Sequence, residues 1–592
     1  MKRRRSRSRC ALPAAVAAVA LMVLAAGCGD AGRPTGQAAR PAILTAGVPG
    51  AARLPSAFQS AWQAARAKAT AAPGQPAALV DLARLAHANG FVREAAELWQ
   101  TLREAQPEEP RWSYLLAEAL RRQGEDEAAG IHWVRTTERA PDYAPAWLRR
   151  ADFAFKRGNL ADATAGYARR LALVADDPYA QVGLARVALQ QGQKAAGRAK
   201  LEAVVRQHPQ FSSAQTLLAQ ILAESGDVAG AARHRWLATT AQRYQEAPDP
   251  WIEELQAWCY DATLLARRAA VLIQAGRAAE AESVLQRAIE LSPSETEPAE
   301  LLGRLYLDQE RPADAQRVLA AGVRQEDATA AMWADLSAAH RALQRTAEAE
   351  RTAREGLAAF PESAVLCQAL GLALAAGDQP AAAREAYTAA LAADPRWAEP
   401  AIHLATLELQ QGKTGDAMAT LRLALERQPF HPRAVVMLSN LEMDAGRLDL
   451  AGDRLRPVLA AYPERDDLQA AFARWYLQRA LAAAQAGQPA TAVQLAKQGV
   501  AALPNAAELH GFLGFVHAQE GRTDQAITAL ENAARLQPSD PRIVVSLVQV
   551  YGQLRRFGDA RRILEAAERD ARARGDAAAA DQYAQFLAQV PR

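Results

Sequence analysis

The sequence predicts an all-α superhelix of about fourteen helix-turn-helix units, and three observations carry that prediction. Alanine returns every 34 residues, at Ala95, Ala129, Ala163 and Ala231 with Gly197 in phase, then from Ala281 to Ala451 and from Ala492 to Ala560. Glycine stands five residues before it in the first five units, from Gly90 to Gly226, and proline closes many units, as at Pro107, Pro141, Pro293 and Pro429. Half of the residues are hydrophobic while aromatics are only 6%, which suits closely stacked helices and leaves little material for a sheet.

The cleanest unit is 507–540, AELHGFLGFVHAQEGRTDQAITALENAARLQPSD. Leu513 and His517 share a helical face with Gly514, where a missing side chain lets another helix come close. Ala526, Leu530 and Ala533 fall at i, i+4 and i+7 of a second helix, and Gly521 joins the two. Such a hairpin cannot bury its apolar faces alone, so copies must stack. The spacing of Leu513, Gly514, Gly521, Ala526, Leu530 and Pro538 resembles the skeleton of a tetratricopeptide repeat, a resemblance that covers about 480 residues. It implies a right-handed superhelix that holds a protein or peptide partner, and it says little about the process served.

Taken in order, residues 1–27 read as a signal peptide. Six basic residues between Lys2 and Arg9 precede an apolar run from Ala11 to Ala26 that is too short and too rich in small residues for a permanent span. Leu24-Ala25-Ala26-Gly27-Cys28 resembles a bacterial lipobox, with Ala25 where Leu is more usual. That resemblance implies lipidation of Cys28; an ordinary cleaved signal peptide is the alternative. Gly29 rather than Asp follows, so the expected location is the cell envelope, on the outer membrane facing the periplasm. Without this leader 63 basic residues stand against 66 acidic ones, and the absence of a long basic run argues against nucleic acid as a partner.

Residues 28–56, rich in Gly, Ala, Pro and Thr, read as a flexible tether, and 57–74 as an N-terminal capping helix. A first array of about five repeats spans 75–236. The stride then slips by 16 residues, leaving an aromatic-rich interruption at 237–261 that holds Trp251, Trp258 and Tyr260. With Trp251, Leu255 and Trp258 at helical spacing, it is expected to be a joint packed between the flanking repeats; the other reading is a lid in the concave groove. A second array of about six repeats spans 262–463, an insertion at 464–472 shifts the frame, and about three more repeats fill 473–570. Residues 571–592 read as a C-terminal capping helix. Repeats 7 and 8 carry Glu310 and Gln344 where the turn glycine belongs.

No catalytic constellation emerges: HExxH, CxxCH, a Walker loop and GxSxG are all missing from the sequence. No enzyme, cofactor or small-molecule substrate is therefore expected. His510 and His517 share a helical face but lack a third ligand and read as packing residues. Trp99, Trp133, Tyr167 and Tyr387 at position 24, and Trp147 and Trp333 at position 4, read as core. Cys259 and Cys367 lie about three repeats apart on a solenoid whose units touch only their neighbours, so both are expected to be free.

In the family, positions 5, 9 and 12 of the first helix line the concave surface. Carried over, that stripe implies partner contacts at Arg84, Arg186, Arg304, Thr406, Asn440, Met443, Phe515 and Gln549, to which Trp251 and Trp258 are added as candidates. The carboxylate-clamp pattern of chaperone-binding members is missing. The expected function is a non-catalytic scaffold or adaptor lipoprotein for protein–protein interaction in the bacterial envelope, in assembly, secretion or exopolysaccharide export. The alternative is a regulatory or accessory subunit of an envelope enzyme acting through 237–261, whose only plausible nucleophile is Cys259.

Overall fold

A computed structural model describes residues 48, 50–72, 75–240, 247–538 and 540–591. The expected signal peptide, Cys28 and most of the expected tether lie outside the described residues. Among the described residues there are 31 α-helices and no strand, stacked as an α-α superhelix. Helix Ser56–Ala71 caps the first repeat, fourteen hairpins follow from Pro76–Ala88 to Phe557–Ala573, and Ala577–Gln589 closes the end.

The phased alanines explain the spacing of the helices. From Ala95 to Ala560 each is at most 1% exposed, so a side chain any larger would push the hairpin apart. Gly197 holds the same place in repeat 4, where a methyl group would sit 2.6 Å from Leu189. At Gly514 the added carbon would stand 2.4 Å from Leu530, which is the close approach its lack of a side chain allows. The turns require a left-handed residue: Gly90 and Gly521 have φ of 81° and 73°, while Glu310 and Gln344 adopt 57° and 61° without glycine's freedom.

Three expectations need correction. The insertion at 464–472 is not a separate segment: helix Asp466–Gln485 runs through it as two extra turns, with Asp466 and Asp467 in its first turn and Leu468, Ala471 and Phe472 buried. Trp147 and Trp333 are only half-buried, unlike the fully covered Trp99 and Tyr167. The interruption does not lie between repeats 5 and 6. Helix Val228–Thr240 completes repeat 5; from 247 the chain crosses the first helices of the N-terminal repeats, and repeat 6 begins beside repeat 1. Ala88 packs against the cluster of Cys259, Ala262 and Leu265 at that junction. The other end of the first array meets the second array too, where helix Val228–Thr240 touches helix Leu448–Ala461.

Candidate partner-binding surfaces

Residues 247–260 follow the face formed by positions 2, 5 and 9 of the first helices, against the direction of the repeats. Ala247 packs against the buried cluster of repeats 3 and 4 that holds Leu148, Ala151 and Tyr167. Asp249, 7% exposed, accepts hydrogen bonds from the hydroxyls of Tyr114 and Tyr143. Burial raises the carboxyl of Asp249, with Glu118 adding to the rise, while the two hydroxyls and Arg149 oppose it. Trp251 then lies flat on Tyr143, ring centres 3.5 Å apart, with the Arg111 guanidinium 5.7 Å from the Trp251 ring centre and paired to Glu254 at 3.2 Å.

Helix Pro250–Glu253 is a single turn, and residues 254–258 continue as a tighter 3-10 turn. The change of pitch spoils the single face expected of Trp251, Leu255 and Trp258: Leu255 is buried and both indoles are half-buried. Asn89, buried at the end of helix Pro76–Ala88, grips the main chain here, its amide donating to the Trp258 carbonyl at 2.8 Å and accepting from the Tyr260 N–H at 2.6 Å. Arg84, a stripe candidate, lies 5.6 Å from the Trp258 ring.

The other stripe residues meet different fates. Arg186 lies over Phe155, Arg304 pairs with Asp335 at 3.0 Å, and Asn440 accepts from Arg474 at 3.1 Å. The Thr406 hydroxyl donates back to the Ile402 carbonyl. Met443 is 3% exposed in the core of repeats 10 to 12 and is no surface contact, because position 12 there turns inward between helices. Gln549 is exposed, and Phe515 is 50% exposed. Phe515 borders a cavity of about 260 Å³ with Leu477, Leu481, Phe512 and Ile543.

Neither chemical candidate has a reactive setting. Cys259 and Cys367 are free and buried, and burial pushes the Cys259 thiol up to about 11. His517 is buried, whereas His510 contacts the Pro504 carbonyl at 3.0 Å. Among the described residues no three His, Cys, Asp or Glu side chains are grouped to hold a metal. Sequence reasoning missed Asn89, Tyr114, Tyr143 and Asp249. Tyr114 did carry a signal, since it occupies position 5 of repeat 2.

A stack of fourteen helical hairpins, each packed on the next, defines an α-solenoid. Two family models, both described as tetratricopeptide repeat, match the chain, one at residues 272–340, 483–542 and 517–586 and the other at 80–144, 182–248, 369–432 and 402–466. The chain belongs to the tetratricopeptide repeat family, whose members form scaffolds for protein–protein interaction. No curated protein matches. Among solved structures, the APC/C hetero-tetramer Cut9–Hcn1 is similar at 14% identity and TM-score 0.30, over 78% of this chain and 93% of that one. Pseudomonas aeruginosa pilF is similar at 18% identity and TM-score 0.30, over 35% and 95%. Naa15/Naa10 bound to HypK-THB is similar at 12% identity and TM-score 0.30, over 90% and 97%. At those scores the likenesses carry no argument about function.

Proposed function

We propose that this chain is a non-catalytic scaffold that holds a protein or peptide partner in the bacterial cell envelope, in assembly, secretion or exopolysaccharide export. In this reading a lipidated Cys28 anchors it to the outer membrane, with the repeats facing the periplasm. The observation that carries the scaffold role is the open apolar cavity beside Phe515, whose ring is half exposed. The lipobox-like Leu24 to Cys28 supports the anchor, and because one acyl chain gives only marginal membrane binding, the multi-acyl modification of bacterial lipoproteins is required.

Affinity capture from detergent-solubilised membranes tests the first part. Phe515→Ala is expected to lose the captured partner with its helicity intact; unchanged capture moves the partner to another face. Cell fractionation tests the second. Cys28→Ser should release the protein to the soluble fraction or stall its processing, and a variant still found with outer membranes places the anchor elsewhere.

A further inference from the structure

We infer that the cavity beside Phe515 and a notch next to it form one two-part site, which takes a partner's extended segment carrying a lysine or arginine about three residues from a large apolar side chain. The inference rests on the scaffold reading and gives its site a partner chemistry. It starts from the extra turns of helix Asp466–Gln485. A notch of about 530 Å³ opens beside them, lined by Asp466, Gln469 and Ala470 of that helix and by Pro504, Asn505 and Glu508 at the entry to repeat 13. Its polar lining consists of carboxylates and amides, with no lysine or arginine among the described residues.

Glu508 also borders the apolar cavity of Phe515, so it is the wall that the two spaces share. At position 9 of their repeats Arg186, Arg304 and Asn440 each have a partner within the chain. Repeats 12 and 13 carry Leu481 and Phe515 there, 40% and 50% exposed, and both line the cavity. Charge completes the argument. The two spaces are lined by three carboxylates, Asp466, Glu508 and Asp540, and by one guanidinium, Arg542, which Asp540 already holds at 3.1 Å. Asp467 beside them is likewise taken by Arg465 at 2.6 Å. Asp466 and Glu508 are exposed and, among the described residues, neither has a cation within ion-pair distance. An apolar floor edged by two uncompensated carboxylates favours a segment of complementary charge and disfavours an acidic one. Along helix Ala507–Gln519 seven residues separate Glu508 from Phe515, roughly 10 Å of rise. An extended chain covers that length in about three residues, which sets the spacing of cation and apolar group.

The test uses the full chain and short labelled peptides of alanine, serine and glycine. Each carries one phenylalanine or leucine and, at a distance varied in steps of one residue, an arginine, a glutamine or a glutamate. At low salt the arginine series should bind at least about fivefold more tightly than the glutamine series, the glutamate series should bind most weakly, and the preference should fade as salt rises. Asp466→Asn with Glu508→Gln, both exposed and outside the core, should erase that preference and leave the glutamine peptides unaffected. Phe515→Ala should weaken all three series. A preference that survives the double variant, or arginine and glutamate peptides that bind alike, overturns the inference. Absence of binding by every series overturns it too, and the scaffold reading then stands on loss of capture in Phe515→Ala and falls on unchanged capture. Affinity that rises about tenfold on removal of residues 29–47 would make Arg40 with Ile43 and Leu44 the occupant, and dimers abolished by the double variant would make it a second copy. Either result overturns the assignment to a partner.

Discussion

Trp236 and Tyr462, which stand 226 residues apart in the chain, are joined by a 2.6 Å hydrogen bond from the indole N–H to the phenol oxygen. Repeat 5 is thereby fastened to the end of repeat 11. A neutral hydrogen bond contributes about 1 kcal/mol net, and in a double-mutant cycle Trp236→Phe and Tyr462→Phe should show a coupling of about 0.5 to 1.5 kcal/mol. Additive effects would mean that the two arrays do not meet there in solution.

Replacing Ala417 by Leu should cost about 1 to 3 kcal/mol, because this fully buried position belongs to the same core cluster as Ile402, Ala405 and Leu421 and a larger side chain would overpack it. Hydrogen exchange should report the loss around residues 380–450, since each repeat leans mainly on its neighbours. Uniform loss along the chain would contradict a largely one-dimensional energy.

Gln344, exposed and held at φ 61°, bears the steric cost of a left-handed turn that glycine avoids. Gln344→Gly should stabilise repeat 8 by about 0.5 to 1 kcal/mol after the added freedom of the unfolded chain is set against the relief. Local hydrogen exchange of helices Ala330–Ala342 and Thr346–Ala359 would measure it. Faster exchange there would contradict the strain argument.

His87 is buried and neutral, accepting from the Trp99 indole at 3.0 Å, and burial lowers it from 6.5 to about 3, with Arg122 and Arg121 pushing the same way. The folded state therefore binds this proton less readily than the unfolded chain. Its contribution is fully present above pH 6.5 and is lost progressively as pH falls toward 3, reaching about 2 kcal/mol by pH 5. His87→Gln, whose amide oxygen can accept from Trp99, should flatten this part of the acid profile in a melt series between pH 7 and pH 5. An unchanged slope would assign the acid sensitivity to other groups, such as His132 and His234, each lowered to about 4.

The fold was legible because one packing rule repeats: a small residue at position 20 marks where two backbones touch, and thirteen alanines and one glycine outweigh any local ambiguity. Glu310 and Gln344 could be placed as turn residues from phase alone. The N-terminal groove was not legible, because its two halves lie far apart in sequence. Nothing within repeat 2 says that the Tyr143 hydroxyl meets Asp249, 106 residues further on. Periodicity also could not foresee that 254–258 would tighten its pitch, which is why Leu255 alone of the three expected residues is buried. Met443 shows the limit of a family position: at position 12 it is buried in repeat 11, whereas Ala223 at the same position of repeat 5 is exposed.

The two junctions between arrays, Ala88 with the Cys259 cluster and Trp236 with Tyr462, also bear on how such a gene can change length. An open solenoid lengthens readily by duplicating one unit, since the new copy displaces everything beyond it as a rigid body. Here five hairpins of one run and six of the other are pinned together near both ends, so an extra copy in either would pull one junction out of register. The repeat number of each run is thus a matched dimension, and a tolerated insertion would have to fall outside the pinned region, beyond repeat 11, where the chain is free to extend.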